Sequence, residues 1–160
     1  PSFDVDNKVL EAQYQQQIAI FHPDKFSLGS DKEKAIALQN TSLINTAFAT
    51  LNSPLKRATY LLELKNINAF DEKGTQMDIE FLMAQIELRE TLESIESSKD
   101  EMDLDDFIEK VDEKIKQNIN SIRALFTDER DLNQVKNLVR ELKFYEQLNV
   151  QAKQLMDEWI

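Results

Sequence analysis

The fold of this chain depends on the pentapeptide Phe21-His22-Pro23-Asp24-Lys25, which separates two segments whose apolar residues have helical spacing. Before it, apolar residues recur every three or four positions, at Leu10, Tyr14, Ile18 and Phe21. After it, a second helical face is predicted from Ile36, Leu43, Ala47, Phe48 and Leu51. Because Pro23 lacks an amide hydrogen and restricts the backbone of His22, the first helix is predicted to end here, in a short polar loop.

The residues that follow this loop have a recognisable order. The chain continues with Ile44-Asn45-Thr46-Ala47-Phe48, Leu51, Pro54-Leu55-Lys56-Arg57-Ala58 and Tyr60-Leu61-Leu62. Together with His22-Pro23-Asp24, this arrangement resembles the J-domain, the helical hairpin with which DnaJ-type co-chaperones stimulate a DnaK-type heat-shock ATPase. The ending Tyr60-Leu61-Leu62, and the segment from Phe81-Leu82-Met83 to Glu87-Leu88-Arg89-Glu90, resemble the HscB branch, which serves iron–sulfur cluster assembly.

The spacing of apolar residues is helical throughout, and it predicts an all-α fold. Helix starts are predicted at the caps Asp6, Ser30 with Glu33, Asp78 and Asp128, and at Pro54. Three amphipathic segments after residue 77 predict an antiparallel three-helix bundle. Their core positions are Phe81, Leu88, Leu92 and Ile95, then Leu104, Ile108, Val111, Ile115, Ile119, Ile122 and Phe126, then Val135, Leu138, Leu142, Tyr145, Leu148, Ala152, Leu155 and Trp159.

The predicted organisation has three parts. Residues 1–65 form the J-type hairpin, residues 66–76, with Gly74, form a linker, and residues 77–160 form the bundle, with the two domains packed as an L. In the resembled family an aromatic-rich helix precedes the hairpin. It is absent here, so we expect that an N-terminal segment is missing before residue 1.

The acidic residues are concentrated in the second part of the chain. The formal net charge is −11, and residues 1–65 contain seven acidic and seven basic side chains, so the whole excess falls on residues 66–160. Like-charge repulsion therefore disfavours nucleic acid as a partner. The absence of Cys excludes disulfides, thiolate zinc sites and iron–sulfur ligation by this chain. No apolar run approaches about 18 residues and no signal peptide is recognisable, so we expect a cytoplasmic protein without a membrane partner.

His22 and Asp24 allow three interpretations. In a structural role they only shape the loop at a helix end. A hydrolase would use them as an acid–base pair, but the chain has a single His, no Cys and no identifiable nucleophile motif. In a recognition role, Asp24 offers a carboxylate to an arginine of a partner. The J-domain resemblance favours recognition and implies a chaperone-binding site at His22, Pro23, Asp24 and Lys25.

The helix predicted after Asp78 has more apolar residues than a bundle needs. The stripe of Phe81, Leu88, Leu92 and Ile95 supplies one core face at about 100° per residue. A second cluster lies on the other side of the helix, at Ile79, Leu82, Met83 and Ile86. These surplus residues either pack on the hairpin or contact a partner.

The HscB resemblance implies that a cluster scaffold protein docks on this helix and on an aromatic residue of the last helix. The positions carried over are Leu82, Met83, Ile86, Glu87, Glu90 and Phe144. Phe144 lies at the edge of its helix's core stripe, so partial burial in the core is its alternative role.

The function implied is that of a co-chaperone. It would bind an IscU-type iron–sulfur scaffold protein, deliver it to an HscA/DnaK-type heat-shock ATPase and stimulate ATP hydrolysis by that partner. It would be no enzyme itself and would need no metal or other cofactor. The alternative is a non-catalytic helical adaptor unrelated to chaperone ATPase regulation.

Overall fold

A computed structural model describes residues 1–71, 78–128 and 131–159, and within them the regular structure is helical. The helices are α1 Asn7–Phe21, α2 Asp31–Asn52, α3 Pro54–Glu63, α4 Ile79–Ser98, α5 Glu101–Asp128 and α6 Leu132–Trp159, with a 3-10 turn at Pro23–Phe26. The predicted all-α fold is confirmed. The chain divides into two compact units, residues 1–61 and residues 62–160, and α3 crosses the division.

Most of the predicted helix starts are present. Asp6 accepts the amide hydrogens of Lys8 and Val9, Ser30 accepts that of Glu33, and Asp78 accepts that of Glu80. Each side chain thereby satisfies amides that the first turn of a helix leaves unpaired.

The cap predicted at Asp128 is wrong. Helix α5 continues through Asp128, and Asp131 is the residue that accepts the amide hydrogen of Gln134 at the start of α6, at 3.1 Å. Two aspartates within four residues offer the same capping chemistry, and the sequence alone does not distinguish them.

In the first unit, α1 and α2 form an antiparallel hairpin. The rings of Tyr14 and Phe48 stack with centroids 4.2 Å apart, and the Tyr14 hydroxyl donates to Asn45 Oδ1 at 2.6 Å. Nearer the connection, Thr41 Oγ1 donates to the carbonyl of Phe21 at 3.0 Å. The hairpin predicted around His22-Pro23-Asp24 is therefore present, and residues of the Ile44–Phe48 motif hold it together.

The face predicted for α2 is only partly correct. Phe48 and Leu51 are half-buried as expected, but Ala47 is exposed, and Ile36 and Leu43 retain 47% and 68% of their accessible surface. The helix instead turns Ala37, Thr41, Ile44, Phe48 and Leu51 inward. The hydrogen bonds that Thr41 and Asn45 make with α1 fix this rotation of α2. A prediction from apolar spacing does not include such polar contacts.

Arg57 ties the residues before α1 to the rest of the first unit. Its Nη1 donates to the carbonyl of Leu51 at 2.6 Å, its Nε donates to the carbonyl of Phe3, and its guanidinium lies 4.9 Å from the centre of the Phe3 ring. Both Arg57 and Phe3 are buried. Apolar spacing does not predict a core position for Phe3, because this residue stands outside any periodic segment.

In the second unit, α4, α5 and α6 form the predicted three-helix bundle. Asn149 of α6 donates to Asp112 of α5 at 2.8 Å, and with the short connection between residues 128 and 132 this pairing makes the two helices antiparallel. The four predicted core residues of α4 are its buried residues, Phe81, Leu88, Leu92 and Ile95. Five residues of α5 and α6 that were not predicted are also buried: Phe107, Asn118, Lys136, Val139 and Asn149.

The described half of the predicted linker packs on α6. Ala69 is fully buried, and Arg140 donates to the carbonyls of Ala69 and Asp71 at 2.8 and 2.7 Å. The ammonium of Lys136, itself buried, pairs with the carboxylate of Asp71 at 2.5 Å. Residues 66–71 are thus attached to the bundle. The remainder of that prediction, including Gly74, lies outside the described residues.

The environment of the Glu141 carboxyl group on α6 disfavours its charged form. Burial, and then the charge of Asp78, raise the pKa of Glu141 above its usual value of 4.5. The folded protein therefore binds this proton more tightly than the unfolded chain does, so stability falls as the pH rises from 4.5 through the raised pKa.

We expect Glu141→Gln to raise the melting temperature at pH 7 by roughly a few degrees, because the amide carries no charge to desolvate. At about pH 3, well below the usual pKa of 4.5, the carboxyl group is protonated in both states and the difference should disappear. Thermal melts at both pH values test this, with the exposed Glu113→Gln as the control. An equal gain at both pH values would contradict the electrostatic explanation.

Candidate functional site

The first candidate site is the turn that connects α1 and α2. Pro23 is the first residue of the 3-10 turn, and His22 adopts the extended backbone (φ −59°, ψ 134°) that a following proline favours. The Lys25 amide donates to the His22 carbonyl at 3.0 Å, and the Asp24 amide donates to His22 Nδ1 at 3.2 Å. Where the sequence predicted a polar loop, the chain thus forms one ordered turn capped by its own imidazole.

The geometry of His22 does not suit acid–base catalysis with Asp24. Because Nδ1 accepts the Asp24 amide hydrogen, it carries no proton in this arrangement, and its 3.5 Å contact with Asp24 Oδ2 is not a donated bond. A catalytic His/Asp pair requires the opposite, a protonated Nδ1 that donates to the carboxylate. The imidazole therefore shapes the turn.

The turn presents the Asp24 carboxylate to solvent. This side chain retains 91% of its accessible surface, and Lys25 beside it is also exposed. A fixed backbone with an outward-pointing carboxylate is well suited to accept a bidentate bond from an arginine of another protein. On α1, which leads into this turn, Lys8 is the one basic residue.

The second candidate site is the outer face of α4, which we call the α4 patch: Ile79, Leu82, Met83 and Ile86, with Glu87 and Glu90 at its edge. The four apolar side chains retain 72%, 40%, 65% and 58% of their accessible surface. Both glutamates are exposed. Four large apolar residues on about two turns of one helix make a contiguous exposed patch, which on a soluble protein usually marks an interaction site.

The core of the bundle fixes the direction in which the α4 patch points. The Phe81 ring packs edge-on against Phe144 and Tyr145 of α6, with centroid distances of 5.8 and 5.9 Å. Asp78 caps the helix one turn earlier, so the rotation of α4 is set at its first turn. Because Leu82 and Met83 follow Phe81 directly, burial of Phe81 turns them outward.

Phe144 differs from the other residues carried over for scaffold binding. It retains 6% of its accessible surface, in the interior between α4 and α6, and the guanidinium of Arg89 lies 5.1 Å from its ring centre. The spacing of Phe144 allowed a core position as an alternative to a surface position. The structure has Phe144 in the core, so the expected surface position is corrected. Phe144 supports α4 from beneath.

Ile79 is an exposed residue that the site prediction left out. It is the most exposed member of the α4 patch, and it lies one turn before Leu82 and Met83. The apolar spacing had placed Ile79 in the surplus cluster, which was enough to predict its exposure. The residues carried over from the family resemblance did not include Ile79.

Comparison with known proteins finds relatives of this chain in sequence and in fold. A family model described as the HSCB C-terminal oligomerisation domain matches residues 77–153. The structure of the chaperone HscB from Vibrio cholerae has 31% sequence identity and a TM-score of 0.87, over 99% of this chain and 93% of that one. The chain belongs to the HscB family. The crystal structure of the human co-chaperone protein HscB is similar, with 29% identity and a TM-score of 0.88, over 96% of this chain and 76% of that one.

The similarity extends to a more distant fold relative. The Jac1 co-chaperone from Saccharomyces cerevisiae has 23% identity and a TM-score of 0.78, over 96% of this chain and 86% of that one. At this identity the likeness concerns the fold alone.

Two further properties concern the part of this HscB-family chain that the structure describes. None of its helices is long and apolar enough to cross a membrane. Within the same residues, no group of three or more His, Cys, Asp or Glu side chains is arranged to hold a metal ion.

Proposed function

We propose that this HscB-family protein is a J-type co-chaperone that binds an IscU-type iron–sulfur scaffold protein and delivers it to an HscA/DnaK-type heat-shock ATPase. ATP hydrolysis belongs to the ATPase, and this chain accelerates it. The observation that carries the proposal is the presence, in one chain, of an ordered His22-Pro23-Asp24 turn and an exposed apolar helix face.

The chaperone-binding role is assigned to His22, Pro23, Asp24 and Lys25. The turn is held by bonds within itself, so its backbone is preorganised and little conformational entropy is lost on binding. Asp24 supplies the charged acceptor, and Pro23 and the His22 imidazole fix the direction in which it points.

The scaffold-binding role is assigned to Leu82, Met83, Ile86, Glu87 and Glu90. Apolar side chains at the centre with charged residues at the edge match the usual anatomy of a protein interface. Met83 adds an adaptable side chain, which suits a partner surface. Phe144 contributes indirectly, since it packs against Phe81 and holds α4 in place.

The test is the steady-state ATP turnover of the purified cognate heat-shock ATPase. We expect this chain to accelerate turnover, and the scaffold protein to accelerate it further in the presence of the chain. A helical adaptor without a co-chaperone role would bind a partner and leave turnover unchanged, and that result would contradict the proposal.

A further inference from the structure

A groove runs between α4 and α5 along the edge of the α4 patch. Its volume is about 540 Å³, and it is open to solvent along its length. Ile95 and Phe107 form its floor, and both are buried. Glu87 and Glu90, which border the α4 patch, also line this groove, so the two surfaces are continuous.

The opposite wall of the groove is acidic as well. Asp103 and Asp106 of α5 face Glu87 and Glu90 across it, and Lys110 is the one basic lining residue. All five are exposed. Among the residues that the structure describes, none of these four carboxylates forms an ion pair with a basic side chain. The groove therefore carries a net charge of −3 from its lining residues, and its acids have unused capacity to accept bonds.

We propose that the docking surface for the scaffold protein extends from the α4 patch across this groove to Asp103 and Asp106, and that it takes a basic edge of that partner. The inference rests on the proposed function for the identity of the partner, but it adds a second helix and a charge requirement to the site. The partner segment that fits has apolar side chains for the α4 patch, followed by Lys or Arg side chains that enter the groove.

Charge argues against a second copy of this chain as the occupant. The whole excess of negative charge lies on residues 66–160, so two bundles that approach through this face would bring like charges together. A basic partner is attracted to this face instead, because complementary charges steer the encounter and increase the association rate. Apolar contacts on the α4 patch then limit dissociation.

The experiment compares two charge-reversal variants of the full chain. Asp103→Lys with Asp106→Lys changes the groove, and Asp105→Lys with Glu109→Lys makes the same change of net charge at exposed positions of α5 that do not line it. Binding of the purified cognate scaffold protein is measured by surface-immobilised kinetics at low and high salt. Thermal melts check folding, and sedimentation checks the oligomeric state.

We expect the groove variant to bind about tenfold or more weakly at low salt, mainly through slower association, and the deficit to shrink at high salt because the charges are screened. The control variant should stay close to the wild type.

Equal losses in both variants would mean that only overall charge matters, and unchanged binding by the groove variant would confine the site to α4. Either result would overturn the inference and leave the proposed function intact, since that function is tested separately by ATP turnover. A dimer in the wild type that the groove variant disrupts would assign the surface to self-association and also overturn it.

Discussion

Asp24→Asn should abolish stimulation of the heat-shock ATPase while the protein stays folded. Asparagine has the same shape as aspartate, and the bonds that form the turn come from the Asp24 backbone amide and from His22, not from the carboxylate. The substitution therefore removes charge and one strong acceptor from an exposed position. Removing one partner of a hydrogen-bonded charge pair at an interface costs about 2–5 kcal/mol, which corresponds to thirtyfold weaker binding or more.

The measurement is ATP turnover by the ATPase over a range of co-chaperone concentrations, together with a thermal melt. The free energy of unfolding should change by less than about 0.5 kcal/mol, as is usual for an exposed position. Asp31→Asn is the matched control, because Asp31 is an exposed aspartate in the first turn of α2, in the same unit. It should stimulate as the wild type does. Normal stimulation by the Asp24 variant would show that the turn acts only as a structural connection.

Features fixed by local chemistry could be predicted from the sequence. The end of α1 follows from Pro23, and the starts of α2 and α4 follow from Ser30 and Asp78, because each of these effects involves only neighbouring residues. The core stripe of α4 was also predictable. Its four members share one face, and the bundle buries just that face.

Features fixed by contacts distant in sequence could not be predicted. The rotation of α2 depends on Thr41 and Asn45, whose partners are residues of α1. A helix with apolar residues on several sides leaves that choice open, and Ile36 and Leu43 were therefore assigned wrongly. The same holds for Phe144. Its position at the edge of a stripe was compatible with surface or core, and packing against Phe81 decides for the core.

Leu82→Ala with Met83→Ala should cripple binding of the scaffold protein and leave basal ATPase stimulation intact. Each side chain, when fully buried at an interface, contributes about 1.5–3 kcal/mol. The loss of both should therefore weaken binding by about a hundredfold or more. The His22-Pro23-Asp24 turn is unchanged in this variant, so stimulation without scaffold should survive, and the additional stimulation by the scaffold should vanish.

The exposure of each side chain determines how far its truncation affects folding as well as binding. Leu82 is the least exposed member of the α4 patch, so its truncation removes the most buried surface and should lower the melting temperature slightly. Met83→Ala with Ile86→Ala avoids this cost, because both side chains retain more than half of their surface. Alanine is a good helix former, so neither double variant should weaken α4 itself.

Met102→Ala with Val150→Ala is the matched control, since it removes two exposed apolar side chains from α5 and α6 of the same bundle, away from the α4 patch. Scaffold affinity, melting temperature and basal stimulation are measured on all three double variants. If the α4 patch binds the partner, both α4 variants lose affinity, the control does not, and all three keep basal stimulation. If the apolar face instead stabilises the fold, the α4 variants melt earlier and keep their affinity for the scaffold, because only stability then depends on these side chains. That second pattern would contradict the assignment of Leu82, Met83 and Ile86 to partner binding.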